Sequence, residues 1–235
     1  MIDTHFTRRF GLLFPFAMLS SSDSTSASLA AMFSRSGGLG MISVGDKSIA
    51  TLKEDHSVAT PDAVGWSVSS LRLSAEPAVL SALLSFRPRA IMFEGSATRE
   101  QVDAARQSGA RVMLSVDAPD QMEAVAALDP DVVIAKCGSG DMPDLAFVPR
   151  VADELHSTHS EAALLVAGKI SNARAISACL VMGADGIVLD AQAFFPQASN
   201  DREPSEKEIV TKVEALASRT SRILLHAQRK LIPEK

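Results

Sequence analysis

Five charged residues each lie at or just beyond the end of a short apolar run, and these are the residues from which we expect chemistry. They are Glu94, Asp117, Lys136, Lys169 and Asp190. If the apolar runs are parallel strands, their carboxyl ends meet at one face, where the active sites of parallel barrels lie. Carboxylates and amines gathered at that face can act as general acids, general bases or nucleophiles.

Lys136 directly follows the apolar run Val132–Ala135. Loss of solvent at that position would lower its pKa and favour an amine nucleophile, as in Schiff-base aldolases. The simpler interpretation is an ion pair between Lys136 and a carboxylate. Glu94 and Asp117 are candidates for the acid or base, although both could instead cap helices. Asp117 precedes Ala118-Pro119, and proline is typical of a helix start.

The stretch Leu164–Phe194 has the order strand, glycine turn, helix, glycine turn, strand. In parallel barrels the last two strand-to-loop turns commonly hold a phosphate on backbone N–H groups and a helix N-terminus. Here Lys169 and Asp190 stand where such turns favour glycine. A carboxylate about 4 Å from a phosphate costs about 1 kcal/mol in water and about 4 kcal/mol at an effective dielectric constant of about 20. Either Lys169 and Asp190 form an ion pair, or Lys169 contacts a phosphate while Asp190 points elsewhere.

Eight apolar segments separated by helical patterns are the elements that must position these residues. The segments are 12–18, 39–44, 64–68, 90–93, 112–116, 132–135, 163–167 and 187–189. The alternation predicts an α/β fold, a single parallel (β/α)8 TIM barrel, and leaves an open doubly wound sheet as the alternative. Residues 45–63 show no clear apolar face, which indicates a loop or a degenerate helix. We therefore expect the barrel to be shortened or irregular between strands 2 and 3. The barrel is expected over about 10–200, with C-terminal helices over about 205–231, in one domain.

Composition narrows the class of partner. The 235 residues are 46% hydrophobic and 22% charged, with a formal net charge of −5. An acidic chain argues against nucleic-acid or membrane partners and favours a small-molecule substrate. Two cysteines cannot build a disulfide framework, and we expect a cytoplasmic protein. Arg8-Arg9 and the apolar residues after them superficially resemble a secretory signal, but Pro15 interrupts the run.

Three segments resemble the nitronate monooxygenases, also called 2-nitropropane dioxygenases. Leu29–Ile42, LAAMFSRSGGLGMI, resembles that family's early LAAAVSNAGGLG signature, and Leu164–Phe194 is similar to its late glycine-rich segment. Gly109–Gly140 follows its middle strands. The resemblance implies a TIM barrel that binds FMN and oxidises small alkyl nitronates.

The resemblance also implies where the cofactor would bind. It places the flavin phosphate at Gly168, Lys169 and Ile170 after the seventh strand and at Asp190 and Ala191 after the eighth. It adds Ala17 and Met18 from the first strand, and it implies no metal.

The family's histidine-bearing loop after the sixth strand is missing, because the chain reads KCGSGD from Lys136. His156 and His159 precede the seventh strand and are expected at the opposite end of the barrel. His56 follows the second strand, so it either faces the site or is a solvated loop residue.

Three hypotheses follow. The first is an FMN-dependent oxidoreductase acting on a small nitronate or another activated or unsaturated carbon acid. The second is a cofactor-free lyase, isomerase or cyclase that uses lysine and carboxylates. The third is a non-catalytic binding relative. A final helix through Ile223, Leu224 and Ala227 would cover either an end of the barrel or a partner, which leaves a homodimer open.

Overall fold

A closed barrel of eight parallel strands forms the centre of the molecule. The computed structural model describes residues 2–20, 26–59, 64–138, 144–158, 160–195 and 204–231. Each strand pairs with the next, and the eighth pairs with the first. The strands are β1 Phe16–Ser20, β2 Leu39–Ser43, β3 Val64–Ser69, β4 Ala90–Glu94, β5 Arg111–Val116, β6 Val132–Lys136, β7 Ala163–Ala167 and β8 Gly186–Asp190. The predicted (β/α)8 TIM barrel is confirmed.

Helices surround the barrel and follow the strands along the chain. They are α1 His5–Phe10, α2 Ser26–Arg35, α3 Ile49–Val58, α4 Ser70–Ala75, α5 Ala78–Ser85, α6 Arg99–Gln107, α7 Met122–Ala126, α8 Phe147–Ser157, α9 Ala173–Val181, α10 Ala191–Phe194 and α11 Glu206–Leu231. Within the described ranges, no helix is both long enough and apolar enough to span a membrane.

Strand alternation divides the buried residues into two clusters. One cluster fills the barrel interior with side chains such as Met41, Met92 and Ile134. The other lies between the barrel and its helices and includes Trp66 and Phe93. Because successive side chains of a strand point to opposite faces, every strand except β3 contributes to both clusters. The inward positions of β3 include Gly65 and Ser67 instead.

Helix α1 closes the N-terminal end of the barrel. Phe6 is fully buried, and Phe6 and Phe10 belong to the interior cluster. Two aspartates that precede strands fix the helix in place. Asp131 accepts a hydrogen bond from Arg9 Nη1, and Asp185 accepts one from the backbone N–H of His5. The N-terminal helix is therefore part of the barrel core.

The structure corrects two sequence predictions of element position and, for residues 45–63, selects the helix over the loop. The first strand begins at Phe16 rather than at Leu12, because Leu12 belongs to the interior cluster beside α1. Residues 45–63 contain the regular helix α3, which buries only Leu52 and Asp55 and so shows little apolar periodicity. The C-terminal helices are one helix, α11, packed against α9 and α2.

Replacing Phe6 with alanine tests the role of α1. The change removes a fully buried ring from the barrel end, so we expect the free energy of unfolding to fall by about 3–5 kcal/mol. Leu71→Ala is the control, because Leu71 is 79% exposed and its loss should change stability by less than about 0.5 kcal/mol. Urea denaturation followed by circular dichroism measures both. Equal stabilities of the two variants would contradict the packing described.

Candidate active site

A cavity of about 810 Å³ opens at the carboxyl ends of β6, β7, β8 and β1. Its described lining residues are Leu19, Asp117, Lys136, Gly138, Ala167, Gly168, Lys169, Ser171, Val188, Leu189, Asp190 and Ala193. Cofactor and ligand cavities commonly measure about 300–1,000 Å³. This cavity has that size and lies at the barrel face where active sites occur.

The turn after β7 supplies one polar wall of the cavity. Gly168 is half-buried, while Lys169 and Ser171 are exposed. The backbone N–H of Ile170 donates to the carbonyl of Gly168 at 2.8 Å, and the Ile170 side chain packs into the outer cluster. Asn172 then caps α9 by accepting hydrogen bonds from the N–H groups of the helix's first turn. The wall therefore offers an ammonium and a hydroxyl beside a glycine turn.

Asp190 caps the short helix after β8. Its Oδ1 accepts hydrogen bonds from Gln192 N at 2.8 Å and from Ala193 N at 3.2 Å. A helix N-terminus can bind a phosphate on these same N–H groups. The carboxylate of Asp190 thus uses two donors of the kind that the resemblance assigned to a cofactor phosphate. Ala191 is buried next to it.

Three polar residues meet on the inner face of the barrel beside this cavity. Lys136 Nζ lies 3.0 Å from Glu94 Oε2, and Ser67 Oγ donates a hydrogen bond to Glu94 Oε1. Ser67 comes from β3, Glu94 from β4 and Lys136 from β6. The Lys136 side chain is 36% exposed and that of Glu94 28% exposed, so both reach solvent.

The electrostatics favour an ionised Glu94. Burial acts to raise the pKa of Glu94, but the hydrogen bond from Ser67, the charge of Lys136 and the hydrogen bond from Lys136 together lower it below its ordinary value. The predicted pairing of Lys136 with a carboxylate is confirmed, and Glu94 is the partner. An ammonium held by a carboxylate has no free electron pair, so it can bind an anion but is a poor nucleophile.

Asp117 lies between two cavities. It lines the main cavity and a smaller neighbouring one of about 340 Å³ that also contains Asp144 and Arg150. Gln121 donates to Asp117 Oδ1 at 2.6 Å and accepts from Asp117 N at 2.9 Å. These reciprocal bonds tie Asp117 to Gln121. They do not cap the Pro119–Gln121 helical turn, whose N-cap residue is Ala118 and has no side-chain cap bond, so the predicted cap role of Asp117 is not seen.

Other predicted residues lie away from the cavity. Ala17 and Met18 are fully buried, Ala17 inside the barrel and Met18 against the helices. The half-buried Leu19 lines the cavity instead, because β1 ends two residues later than predicted.

Of the histidines considered above, the two that the structure describes, His56 and His156, do not replace the missing loop histidine. His56 lies in α3 with its ring stacked 4.3 Å from that of Phe86, so it is neither a solvated loop residue nor a site residue. His156 is in the last turn of α8, before β7, as predicted. His159 lies outside the described residues.

Sequence reasoning missed Ser67. It is 1% exposed in β3, and its hydroxyl contacts Glu94. The available signal was a pair of serines two residues apart, Ser67 and Ser69, in an otherwise apolar strand. Residues two apart share one face of a strand, so the barrel interior must be polar there.

The fold and cavity define a parallel (β/α)8 barrel with a candidate active site at its C-terminal end. No protein-family model matches the chain, and no characterised protein matches it by sequence. Solved structures do resemble it. FabK from Thermotoga maritima superposes with a TM-score of 0.70 at 19% identity, covering 82% of this chain and 63% of FabK. The chain therefore spans less than two thirds of FabK's length.

Two other neighbours have the same architecture. A nitroalkane oxidase from Streptomyces ansochromogenes gives a TM-score of 0.64 at 19% identity, covering 81% of this chain and 68% of that one. A mandelate oxidase mutant with a monooxide FMN adduct gives 0.67 at 15% identity, covering 92% and 76%. At these identities the likeness establishes the fold.

Replacing Glu94 with glutamine tests the ion pair. Because the folded-state pKa of Glu94 is lowered, its contribution is present at neutral pH and is lost as pH falls through that pKa, below about pH 4.3. At pH 7 we expect Glu94→Gln to lower the free energy of unfolding by about 1–3 kcal/mol, since Lys136 loses its partner. Urea denaturation at several pH values should show the difference shrinking in acid.

A matched control removes a carboxylate from a surface ion pair. Glu206 lies 3.5 Å from Arg35, with side chains 54% and 46% exposed, and Glu206→Gln should cost less than about 1 kcal/mol. In addition, Lys136→Met combined with Glu94→Gln should recover part of the loss, because no buried charge is left unpaired. A Glu94→Gln protein as stable as the parent at pH 7 would show that the pair contributes nothing.

Proposed function

We propose that this chain is an FMN-dependent oxidoreductase that acts on a small nitronate or another activated carbon acid. The observation that carries the proposal is the Lys136 ammonium, which reaches the cavity at the catalytic end of the barrel. Support for the cofactor comes from the neighbours that share this fold, one of which carries an FMN adduct.

The residues around the cavity fit a flavin mononucleotide on two counts. Leu19, Ala167 and Val188 provide apolar wall for an aromatic ring system. Gly168, Lys169 and Ser171 provide a turn, a cation and a hydroxyl that would hold a phosphate. Asp190 departs from this pattern, because its carboxylate already caps α10. We therefore assign the phosphate to the β7 turn. A bound flavin would supply the redox chemistry.

Lys136 would bind the negative charge of the substrate. A nitronate or an enolate carries a delocalised anion, and an ammonium stabilises it by a charge-assisted hydrogen bond. Glu94 holds Nζ in place from one side, and Ser67 fixes Glu94. The chain thus places a cation at the site without the histidine loop. Asp117 lines the cavity and would hold the Gln121 side chain in place at its entrance.

Flavin binding is the first test of this proposal. The purified chain, or the chain mixed with FMN, should show the visible absorbance of a bound flavin. Asp190→Asn should raise FMN affinity about tenfold, because asparagine still caps α10 but removes a negative charge near the phosphate. Asp103→Asn is the control, since that carboxylate pairs with Arg106 on α6 and does not line the cavity. A protein that stays colourless after addition of FMN would rule the proposal out.

Loss of the Lys136 charge should impair turnover more than folding. We expect Lys136→Met to lower kcat/KM for a small alkyl nitronate about 10- to 100-fold in the FMN-loaded protein, because a charge-assisted contact is lost. Lys136→Arg should restore part of the rate. Oxygen consumption measures the rate, and bound FMN absorbance shows that the site is intact. Unchanged kinetics in Lys136→Met would remove Lys136 from the mechanism.

A cofactor-free lyase or isomerase is the second candidate, and the Asp190 cap favours it. In that case an amine would attack a carbonyl substrate, releasing water and forming an imine. Borohydride reduction of the chain with an aldehyde or ketone substrate, followed by mass spectrometry, distinguishes the two candidates. The ion pair of Lys136 leads us to expect no adduct. An adduct that disappears in Lys136→Ala would favour the lyase instead.

A further inference from the structure

A second cavity, of about 270 Å³, lies at the opposite end of the barrel from the candidate active site. Its described lining residues are Arg9, Phe10, Arg87, Pro88, Arg89, Gly109 and Arg111. The arginines come from three separate parts of the chain: α1, the connection before β4, and the first residue of β5. All the charged residues in this lining are arginines. The cavity is thus locally positive, although the formal net charge of the whole chain is −5.

Two of these guanidiniums already converge on an anionic oxygen. Asp131 Oδ1 accepts hydrogen bonds from Arg9 Nη1 and from Arg111 Nη1, each at 2.9 Å. Arg89 donates to the backbone carbonyl of Phe10. Since each guanidinium has five N–H donors, these contacts leave donors on all three side chains.

The remaining positive charge is only partly compensated. Among the described residues, the side chain of Arg87 has no hydrogen-bond or ion-pair partner, and its backbone is held in the left-handed region at φ 51°. Arg89 is half-buried, and burial lowers its pKa from the ordinary value. Asp131 offsets one of the four positive charges in this lining, so a further bound anion would reduce the repulsion among the guanidiniums.

We infer that this cavity binds a small phosphate-type oxyanion. Arginine forks match the oxygens of a phosphate in a bidentate manner, which gives both affinity and geometric selection. The cavity is smaller than the usual range of about 300–1,000 Å³ for cofactor sites, so it fits a phosphate group rather than a nucleotide. A bound phosphate would join α1 to the starts of β4 and β5. It would thereby stabilise the helix that closes the barrel.

Thermal unfolding of the full chain tests this inference. Inorganic phosphate should raise Tm by about 2–4 °C above sodium chloride at equal ionic strength, because a ligand that binds the folded state stabilises it. A phosphomonoester such as glycerol 3-phosphate forms a parallel arm. If only inorganic phosphate acts, the cavity takes the free ion; if both act, it takes the phosphate end of a larger metabolite. Equal effects of phosphate and chloride would overturn the inference.

Variants locate the site. Arg87→Gln should weaken phosphate binding about tenfold and Arg87→Glu should abolish it, as isothermal titration calorimetry would show. Arg219→Gln is the control, because Arg219 is an exposed arginine of α11. Lys169→Gln tests the other end of the barrel, because the proposed flavin phosphate turn would also bind inorganic phosphate. The binding assigned to the arginine cavity is the part that persists in Lys169→Gln and is lost in Arg87→Glu. If Lys169→Gln removes the response and Arg87→Glu does not, phosphate binds at the active-site end and the inference is wrong.

Discussion

Closure of the barrel is the constraint on which the rest of the structure depends. Eight parallel strands that pair from β1 round to β8 force every second side chain into one narrow interior. The middle of that interior is apolar, so a charged residue is tolerated only at an end that reaches solvent. Glu94 and Lys136 are the final residues of β4 and β6, where this condition holds. The pair is thus a consequence of strand length and register.

The two ends of the barrel are built on different principles. At the N-terminal end, Asp131 and Asp185 occupy equivalent positions, because each directly precedes a strand, β6 and β8 respectively. Each accepts a hydrogen bond from an N–H of the preceding strand, Asp131 from Val112 and Asp185 from Leu164, and each also binds α1. This repeated arrangement links strands and α1 through buried hydrogen bonds. At the C-terminal end, turns surround an open cavity.

Much of this architecture could be predicted from sequence because its strands are buried on both faces. Runs such as Val132–Ala135 are then continuously apolar and easy to recognise. The six-residue helix α1 was not predicted, because six residues are too few to show helical periodicity. The start of β1 was misplaced for a related reason. Leu12 is apolar because it packs below the barrel, and sequence alone does not separate that role from a place in a strand.

The candidate site was predictable in its members but not in its contacts. Position after an apolar run was enough to find Glu94, Lys136 and Asp190. The choice of partner depends on strand register, which brings β4 and β6 side chains together across the interior. It also depends on Ser67, whose inward position the serine spacing suggests but whose contact with Glu94 it does not. The role of Asp190 depended on whether α10 would form, and a helix of four residues is formed by its cap rather than by its propensity.

The Glu94–Lys136 pair is not explained by stability alone, because apolar side chains could fill the same positions. Partly buried ion pairs often give little net stability, since desolvation offsets the attraction, and apolar residues of similar volume can replace them without loss. The interior below this pair is filled mainly by apolar side chains such as Met92 and Ile134. Packing therefore supplies no reason for charge at the last level. Anion binding is such a reason, because a cation that faces the cavity can bind a negatively charged substrate. The position of Lys136 therefore fits the proposed chemistry better than it fits a purely structural role.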